Sequence, residues 1–284
     1  MDCKELEESL EDFRDYLRKQ NKTKNTITAY CGSVRLFFGF FEEVTPEKLR
    51  DYRQKLISLY KPATVNQRVF AINSYARYLT EVWEDDYMSL KSYQLNSVKL
   101  QQKSFLDSII SNEDYELLKK RLKEDRNELW YFVVRFLGAT GARVSELVQI
   151  KVEHLTLGYL DLYSKGGKIR RIYLPDTLCE EAMDWCRKRK LTSGFLFLNK
   201  DGRPITTRGI HSQLKQFAHR YHINPDTVYP HSFRHRFAKN FLNKFNDISL
   251  LADLMGHENI ETTRIYLTRS SKEQQQLLDE MITW

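Results

Sequence analysis

The segment "HSFRHRFA", which spans residues 231–238, decides how the rest of the chain is interpreted. On a helix, positions 231, 234 and 235 lie on one face, so His231, Arg234 and His235 are expected to be neighbours. Two imidazoles beside a guanidinium are unusual for a packed face. They suit an anion, because arginine offers phosphate a two-pronged set of donors and histidine can move a proton near neutral pH.

A metal site is the competing interpretation of these histidines. His231 and His235 have the i,i+4 spacing of a zinc pair, and His219 and His222 have i,i+3 spacing. However, the glutamate that follows the first histidine in the H-E-x-x-H zinc motif is missing, and Arg234 would place a cation beside the ion. We therefore expect no metal and no other cofactor.

A second segment, "TGARVSEL" at 140–147, also suits an anion. Gly141 is predicted to end one helix, and Arg143 is predicted to lie at the start of the next. A helix N-terminus with an arginine beside it is a good phosphate site. Glu146 lies three residues further on and could hold Arg143 in place. An exposed surface arginine remains the alternative for this segment taken alone.

The segment "GYLDLYSKGGKIRRIYLP" at 158–175 carries the clearest β signal. Two runs rich in β-forming residues meet at residues 165–168, which predicts a hairpin. Lys165 at its tip, with Lys168, Arg170 and Arg171 nearby, could grip a DNA backbone or deliver a proton. An ordinary hairpin is the alternative, since lysine and glycine are common in such turns.

The charge of the chain is concentrated in one part of it. The net charge is +7; residues 160–240 carry 16 lysines and arginines against 7 acidic residues, whereas residues 1–103 carry 17 against 15. A local excess of this size points to a polyanion, nucleic acid above all. A solvated basic face is the alternative that charge alone leaves open.

Apolar periodicity divides the chain into two parts. Apolar residues recur at helical spacing in four segments of the first 85 residues, and Thr45 and Pro62 mark helix starts. The periodicity fades between about 85 and 104 and returns with Ser111, a candidate helix cap. We expect a helical domain at 1–90, a linker at 91–104 and a second domain at 105–284.

The sequence predicts neither a membrane segment nor a disulfide framework. The longest apolar run, at 129–138, is interrupted by Arg135 and is too short to span a bilayer. The N-terminus is polar, unlike a secretory signal, and the four cysteines are scattered without a C-x-x-C pair. We therefore expect a soluble intracellular protein with free thiols and no membrane partner.

The motifs gain specificity from their order. An arginine, a hairpin lysine about 20 residues later, H-x-x-R-H, Gly-His, and a tyrosine nine residues after that histidine resemble the tyrosine recombinase (phage integrase) family. The matching segments are "TGARVSEL", "SKGGKIRRIYLP", "HSFRHRFA" and "LMGHENIETTRIYL". The resemblance implies a mainly α fold with a small β-sheet in the catalytic domain at 105–284, and a helical, SAM-like core-binding domain at 1–90. It further implies a two-domain, C-shaped DNA clamp.

The resemblance also implies a metal- and ATP-independent reaction and its residues. Tyr266 would be the nucleophile that attacks a scissile phosphate and forms a 3′-phosphotyrosyl bond. Arg143 and Arg234 would hold the non-bridging oxygens. Lys165 would be the general acid for the 5′-oxygen, and Lys168 is its rival in the same turn.

Other roles are carried over in the same way. His231 would assist proton transfer and His257 would donate a hydrogen bond to the phosphate, while Glu146 and His235 match supporting positions. The fourth helix is expected to read a DNA groove. The expected DNA contacts are Arg68, Asn73, Lys168, Arg170, Arg171, Arg236 and Lys239.

The implied function is site-specific strand exchange through a Holliday junction, which resolves transposon cointegrates or DNA dimers. The chain begins its helical bundle at once, which favours a two-domain, Xer-like or transposon-resolvase type. The expected partners are a double-stranded site with inverted core repeats and a homotetramer held by exchange of the C-terminal tail helix at 270–284. The expected location is the nucleoid in the bacterial cytoplasm.

Two alternatives are kept. A type IB topoisomerase shares the arginine, lysine, histidine and tyrosine chemistry but relaxes supercoils without a partner site. A non-catalytic DNA-binding protein of the same fold needs none of the six catalytic residues. The intact set of catalytic residue types in this sequence argues against the second alternative.

Overall fold

A computed structural model describes residues 3–83, 86–91, 93–99, 109–163, 169–257, 259–267, 275 and 278–282. The chain divides into two compact units, Met1–Gln102 and Lys103–Trp284. Each unit buries its own large cluster of apolar side chains. No helix within the described ranges is long and apolar enough to cross a membrane.

The first unit is helical, as the sequence predicted. Its described α-helices are α1 (Cys3–Lys19), α2 (Lys24–Phe38), α3 (Pro46–Leu59) and α4 (Pro62–Val82). Local chemistry sets their starts: the Thr23 and Thr45 hydroxyls accept hydrogen bonds from backbone N–H groups in the first turns of α2 and α3, and proline opens α3 and α4. Their apolar stripes meet in one core around the fully buried Phe13 and Tyr75.

Two asparagines of α4 hold the chain that follows the bundle. The Asn73 amide donates to the Leu95 carbonyl at 2.9 Å and accepts from its N–H at 3.0 Å. Asn66 does the same with Val98, at 2.9 and 2.7 Å. Asn66 and Asn73 are seven residues apart on α4, which corresponds to a rise of about 10.5 Å along the helix. Leu95 and Val98 are three residues apart, which corresponds to about 10 Å of extended chain. The spacing of the two asparagines therefore matches the spacing of the two residues that they bind.

This double clamp bears on two expectations from the sequence. Residues 95–98 belong to the segment expected to be a linker, yet Leu95 is buried in the core of the first unit. Asn73 was expected to contact DNA, but its amide instead holds the Leu95 backbone within the unit, with Nδ2 donating to the carbonyl and Oδ1 accepting from the N–H. We therefore leave Asn73 out of the DNA contacts proposed below.

The second unit is mainly helical with one small sheet. Its described helices are α5 (Asn112–Glu124), α6 (Glu128–Thr140), α7 (Val144–Leu147), α8 (Val152–Leu157), α9 (Asp176–Lys188), α10 (Thr207–Arg220), α11 (Pro230–Phe245), α12 (Ile248–Met255) and α13 (Glu261–Arg264). Strands β1 (Tyr159–Tyr163) and β2 (Ile169–Tyr173) form the predicted antiparallel hairpin. Residues 164–168 at its tip lie outside the described residues.

Helices α6 and α11 pack together at the centre of the second unit and bring two sequence motifs side by side. Gly141 ends α6 with φ of +62°, a left-handed conformation that favours glycine. A β-carbon there would come within 2.5 Å of the Phe237 ring on α11. The close approach therefore needs glycine, and it places Arg143 next to the helix that carries "HSFRHRFA".

The asparagine clamp generates a prediction about stability. Replacing Asn73 with alanine removes two hydrogen bonds and leaves the backbone of the buried Leu95 unsatisfied. We expect Asn73→Ala to lower the free energy of unfolding by about 2 kcal/mol. Urea unfolding of the full chain measures the loss. Gln67→Ala, at an exposed site of the same helix, is the control with an expected loss below about 0.5 kcal/mol; equal losses in the two variants would disprove the clamp.

Candidate active site

Three arginine side chains converge on the C-terminus of α12. The last carbonyl groups of an α-helix have no partner within the helix and carry its partial negative charge. Three consecutive carbonyls here each accept from a different guanidinium. The pairs are Arg170 Nη2 with the Leu254 oxygen at 3.3 Å, Arg234 Nη2 with the Met255 oxygen at 2.6 Å, and Arg143 Nη2 with the Gly256 oxygen at 3.3 Å.

One carboxylate faces this group of cations. Glu146, the third residue of the short helix α7, is 8% exposed. Its Oε2 accepts from the Arg143 backbone N–H at 2.6 Å, and its Oε1 accepts from Arg143 Nη1 at 2.8 Å and also from Arg170 Nη1. Among the described residues of this cluster, three guanidiniums and one hydrogen-bonded carboxylate leave an excess of two positive charges. Such an excess in a largely buried cluster favours binding of an anion.

Arg234 is the most deeply buried of the three arginines, with 2% of its surface exposed. Its Nη1 donates to the Gly141 carbonyl at 2.6 Å, so it ties the end of α6 to the end of α12. Burial, together with the charges of Arg143 and Arg170, lowers its pKa to about 10. Arg234 is therefore still a cation at neutral pH.

Tyr266 lies beside Arg234 in a short 3₁₀ turn, Ile265–Leu267, and is 7% exposed. Its ring stacks on the His257 ring with centroids 6.0 Å apart and meets the edge of the His235 ring at 5.2 Å. Burial raises the pKa of the phenol, while the charge of Arg234 and a hydrogen bond from it act in the opposite direction. The tyrosine thus occupies the same site as the arginines of its own chain.

The contacts of His257 fix its protonation. Its Nε2 lies 3.0 Å from Arg234 Nη2, and its Nδ1 lies 2.8 Å from the hydroxyl of the buried Thr263. A guanidinium can only donate, so we assign Nε2 as the acceptor and place the proton on Nδ1. Burial, then Arg234, Arg143 and Arg170, lower the pKa of His257 to about 4. The ring is therefore neutral at pH 7.

The two histidines of the H-x-x-R-H motif have different surroundings. His231 is exposed near the start of α11, where partial desolvation and then the charge of Arg234 lower its pKa. His235 lies one turn deeper; burial, then His231 and Arg234, lower its pKa to about 4. Its Nδ1 is buried without a hydrogen-bond partner. His231 is thus placed to meet a ligand, while His235 packs against Tyr266.

The basic residues of the hairpin separate into two groups. Lys165 and Lys168 lie outside the described residues. Arg171 makes a two-pronged ion pair with Asp161, its cross-strand neighbour, at 2.8 and 2.7 Å, and lies over the Tyr159 ring. Arg170 was expected to contact DNA, but strand alternation turns it to the opposite face, where its guanidinium enters the arginine cluster.

The remaining expected DNA contacts lie on helices. Arg236 stacks on the Tyr115 ring at 3.9 Å, and Arg68 lies over the Tyr60 ring at 4.2 Å. Lys239 is half-buried on α11. The hydrogen bond between Thr263 and His257 was not predicted from the sequence. The only indication there was the position of Thr263, six residues after His257.

A cleft of about 1240 Å³ opens beside the cluster and is lined by Arg143, Glu146, Arg170, Gly256 and His257, together with further residues of both hairpin strands. The Arg143 side chain is 38% exposed and so reaches solvent here. The described residues contain no group of three or more His, Cys, Asp or Glu that could hold a metal ion. The Tyr266 ring is separated from this cleft by the His257 ring, which lines the cleft and stacks on Tyr266. A phenol in this position can attack a bound phosphate, and the neighbouring guanidiniums can stabilise the charge that develops.

The buried histidines predict a specific pH dependence. The folded-state pKa of His235 is about 4, against an ordinary value of 6.5, so the unfolded chain takes up the proton first. The contribution of His235 to stability is present above pH 6.5 and is lost as pH falls towards 4. Urea unfolding at several pH values is expected to show a smaller acid loss in His235→Gln than in the wild type. Parallel curves would contradict the assignment, and His219→Gln, exposed on α10, controls for removal of a histidine as such.

Comparison with known proteins identifies the family of the chain. The model of the phage integrase family matches residues 108–273. The chain is 30% identical to tyrosine recombinase XerA of Pyrococcus furiosus, with 93% of this chain and 91% of that protein covered. It is 27% identical to tyrosine recombinase XerD of Staphylococcus haemolyticus, with 95% and 96% covered, and 26% identical to the TnP I resolvase of Bacillus thuringiensis, with 89% and 93% covered.

Solved structures show the same fold. The Tn1549 transposon integrase in complex with transposon right end DNA superposes with a TM-score of 0.69 at 18% identity, over 97% of this chain and 99% of that one. The XerH recombinase bound to its difH substrate superposes with a TM-score of 0.68 at 20% identity, over 98% and 84%. By its motifs, its fold and its relatives, the chain belongs to the phage integrase family of tyrosine recombinases.

Proposed function

We propose that this protein is a site-specific recombinase that cleaves and rejoins DNA through a covalent bond to Tyr266. The observation that carries the proposal is the position of that phenol, beside Arg234 and stacked on His257, next to a cleft that Arg143 reaches. A nucleophile and an anion-binding cluster of one chain meet there. A non-catalytic DNA-binding protein would have no use for this juxtaposition.

The reaction balances without a cofactor. The Tyr266 oxygen attacks the scissile phosphorus, and the bond from phosphorus to the 5′-oxygen breaks. The leaving 5′-oxygen takes the bonding electron pair and a proton, while the phenol loses its proton. The phosphodiester is retained as a 3′-phosphotyrosyl ester, so a second 5′-hydroxyl can reverse the step on another strand without ATP.

The arginines would bind the non-bridging oxygens of the phosphate. Arg143 approaches from the cleft, and Arg234 approaches from the buried side next to Tyr266. Negative charge grows on these oxygens as the phosphorus becomes pentacoordinate, and fixed guanidiniums in a desolvated site stabilise that charge most. In the protein without DNA, the carbonyls at the end of α12 and the Glu146 carboxylate hold the donors in place.

Two protons must move in this scheme. Burial raises the pKa of Tyr266, so its deprotonation needs an acceptor. We assign this role to His231, because burial and then the charge of Arg234 lower the pKa of its ring and so favour the neutral form that accepts a proton. We assign the proton for the 5′-oxygen to Lys165, with Lys168 as the rival in the same turn. His257 would donate to the phosphate only after its proton moves from Nδ1 to Nε2.

DNA is the proposed partner, as in the integrase and XerH complexes named above. The basic excess at 160–240 supports contacts with the DNA backbone. We retain Arg68, Lys168, Arg171, Arg236 and Lys239 as candidates for these contacts. The Xer and resolvase relatives support a role in resolving DNA dimers or transposon cointegrates. For this protein we propose a target site with inverted core repeats and a location at the bacterial nucleoid.

Strand exchange between two sites needs four active subunits, so the proposal includes a homotetramer around a Holliday junction. The described part of the tail supports exchange between subunits. Leu278, Met281 and Ile282 are apolar and 50%, 65% and 53% exposed. An apolar surface of this kind suits docking on a neighbouring subunit.

The covalent intermediate gives the test. A nicked DNA site that loses the 5′-hydroxyl fragment after cleavage traps the protein on its substrate. We expect a covalent protein–DNA band with the wild type in the presence of EDTA, and none with Tyr266→Phe, whose DNA binding is retained. Tyr30→Phe is the matched control, because that half-buried tyrosine lies on α2 in the first unit and does not line the cleft, and it is expected to give the wild-type band.

Other outcomes of this experiment point elsewhere. A band that requires a divalent metal would refute the proposed mechanism. DNA binding without a band on any cognate site would indicate a binding-only protein. Relaxation of a supercoiled plasmid that lacks a recombination site would indicate a topoisomerase.

A further inference from the structure

We infer that Arg170 is a positioning residue, which holds Arg143 in the geometry that binds the scissile phosphate. The inference rests on the proposed function, since it assigns a task within that reaction. Arg170 lines the same cleft as Arg143, but its side chain is only 12% exposed, against 38% for Arg143. Its two terminal nitrogens donate to the Glu146 carboxylate and to the Leu254 carbonyl, which are, or lie close to, the two acceptors of Arg143.

The first link runs through Glu146. The same carboxylate oxygen, Oε1, accepts from Arg143 Nη1 and from Arg170 Nη1. The other oxygen accepts from the Arg143 backbone N–H. Without Arg170, the carboxylate would have one cation in place of two and could follow the flexible Arg143 side chain. With Arg170, the carboxylate is fixed from the buried side and offers Arg143 a stationary partner.

The second link runs through the turn after α12. Arg170 Nη2 donates to the Leu254 carbonyl, and two residues later the Gly256 carbonyl accepts from Arg143 Nη2. Arg170 therefore holds the backbone that carries the second acceptor of Arg143. Both fixed points of the Arg143 guanidinium, the carboxylate and the carbonyl, are connected to Arg170.

Packing shows how closely the turn fits this side chain. Gly256 has φ of +60°, and a β-carbon added there would lie 2.1 Å from Arg170 Cδ and 2.4 Å from its Nε. The glycine is thus required both by the backbone conformation and by the position of Arg170. The Nε atom of Arg170 is buried without a hydrogen-bond partner, so this packing leaves one N–H donor of the side chain unsatisfied.

Electrostatics separates the two tasks. Burial lowers the pKa of Arg170, and the charge of Arg143 acts in the same direction, while Glu146 opposes them. A buried cation is costly unless it is paired, so this one is retained only with its carboxylate. Arg143 shares that carboxylate and its side chain remains 38% exposed. A guanidinium has five N–H groups, so Arg143 can donate to a phosphate from the cleft in addition to its protein acceptors. Arg170 supports the site, and Arg143 touches the substrate.

The test compares two scissile groups. A methylphosphonate at the cleavage position lacks the non-bridging charge that Arg143 neutralises, so it does not need a well-placed guanidinium. We expect Arg170→Met to slow covalent-complex formation on the phosphate about 10- to 100-fold and to change cleavage of the methylphosphonate less than about 3-fold. Arg143→Ala is the reference for complete loss of the guanidinium. It is expected to slow cleavage of the phosphate more than Arg170→Met does, and again to affect the methylphosphonate much less than the phosphate.

Matched variants separate positioning from stability. Arg135→Met removes a half-buried arginine that pairs with Glu181 away from the site, and both substrates should stay within about 3-fold of the wild type. If Arg170→Met does not fold because the buried Glu146 carboxylate keeps only one of its two cations, Arg170→Met with Glu146→Gln removes both charges and is expected to restore folding. That double variant is expected to keep the selective loss on the phosphate.

An activity-free measurement completes the design. The Nε–Hε signal of Arg143, assigned by its disappearance in Arg143→Lys, is expected to report a rigid side chain in the wild type and a mobile one in Arg170→Met. An unchanged Arg143 signal, or equal losses on both substrates, would overturn the inference. A wild-type protein without any covalent product would refute the proposed function, and the Arg143 signal would still decide the positioning role.

Discussion

The C-terminal carbonyls of α12 hold the active site together. Each of the last three carbonyls, from Leu254 to Gly256, binds a guanidinium from a different part of the chain: α11, the start of α7 and strand β2. A helix end supplies acceptors with a partial negative charge and no net charge. It can therefore collect three cations without neutralising them, which a set of three carboxylates would do.

This arrangement explains how a positive site can exist before DNA arrives. In the described part of the site, the Glu146 carboxylate accepts from Arg143 and Arg170, and backbone carbonyls at the end of α12 supply acceptors to all three arginines. A phosphate offers these donors stronger acceptors than a carbonyl does. Tyr266 is already buried beside Arg234 in its own chain, so the proposed nucleophile and the arginine cluster lie together within one subunit.

The sequence predicted the members of this site better than their contacts. The order of motifs identified Arg143, Arg234, His257 and Tyr266, and the structure brings these four together. The inward orientation of Arg170 could have been predicted, because residues two apart on a strand point to the same face and Ile172 on β2 is buried. Its charge hid that signal, because charged strand residues usually face water. The hydrogen bonds from Asn66 and Asn73 to residues 95–98 could not be predicted from the sequence, because bonds between side-chain amides and the backbone produce no apolar periodicity.

The most direct test of the central claim is to locate the covalent bond. Trypsin cuts after Arg264 and Arg269, so the trapped complex should yield the peptide 265–269, "IYLTR", joined through Tyr266 to the 3′-terminal nucleotide of the cleaved strand. Mass spectrometry of the digested complex should find that adduct, together with a free 5′-hydroxyl on the released fragment. A nucleotide attached to any other residue, or a tyrosine linked to a 5′-phosphate, would contradict the account.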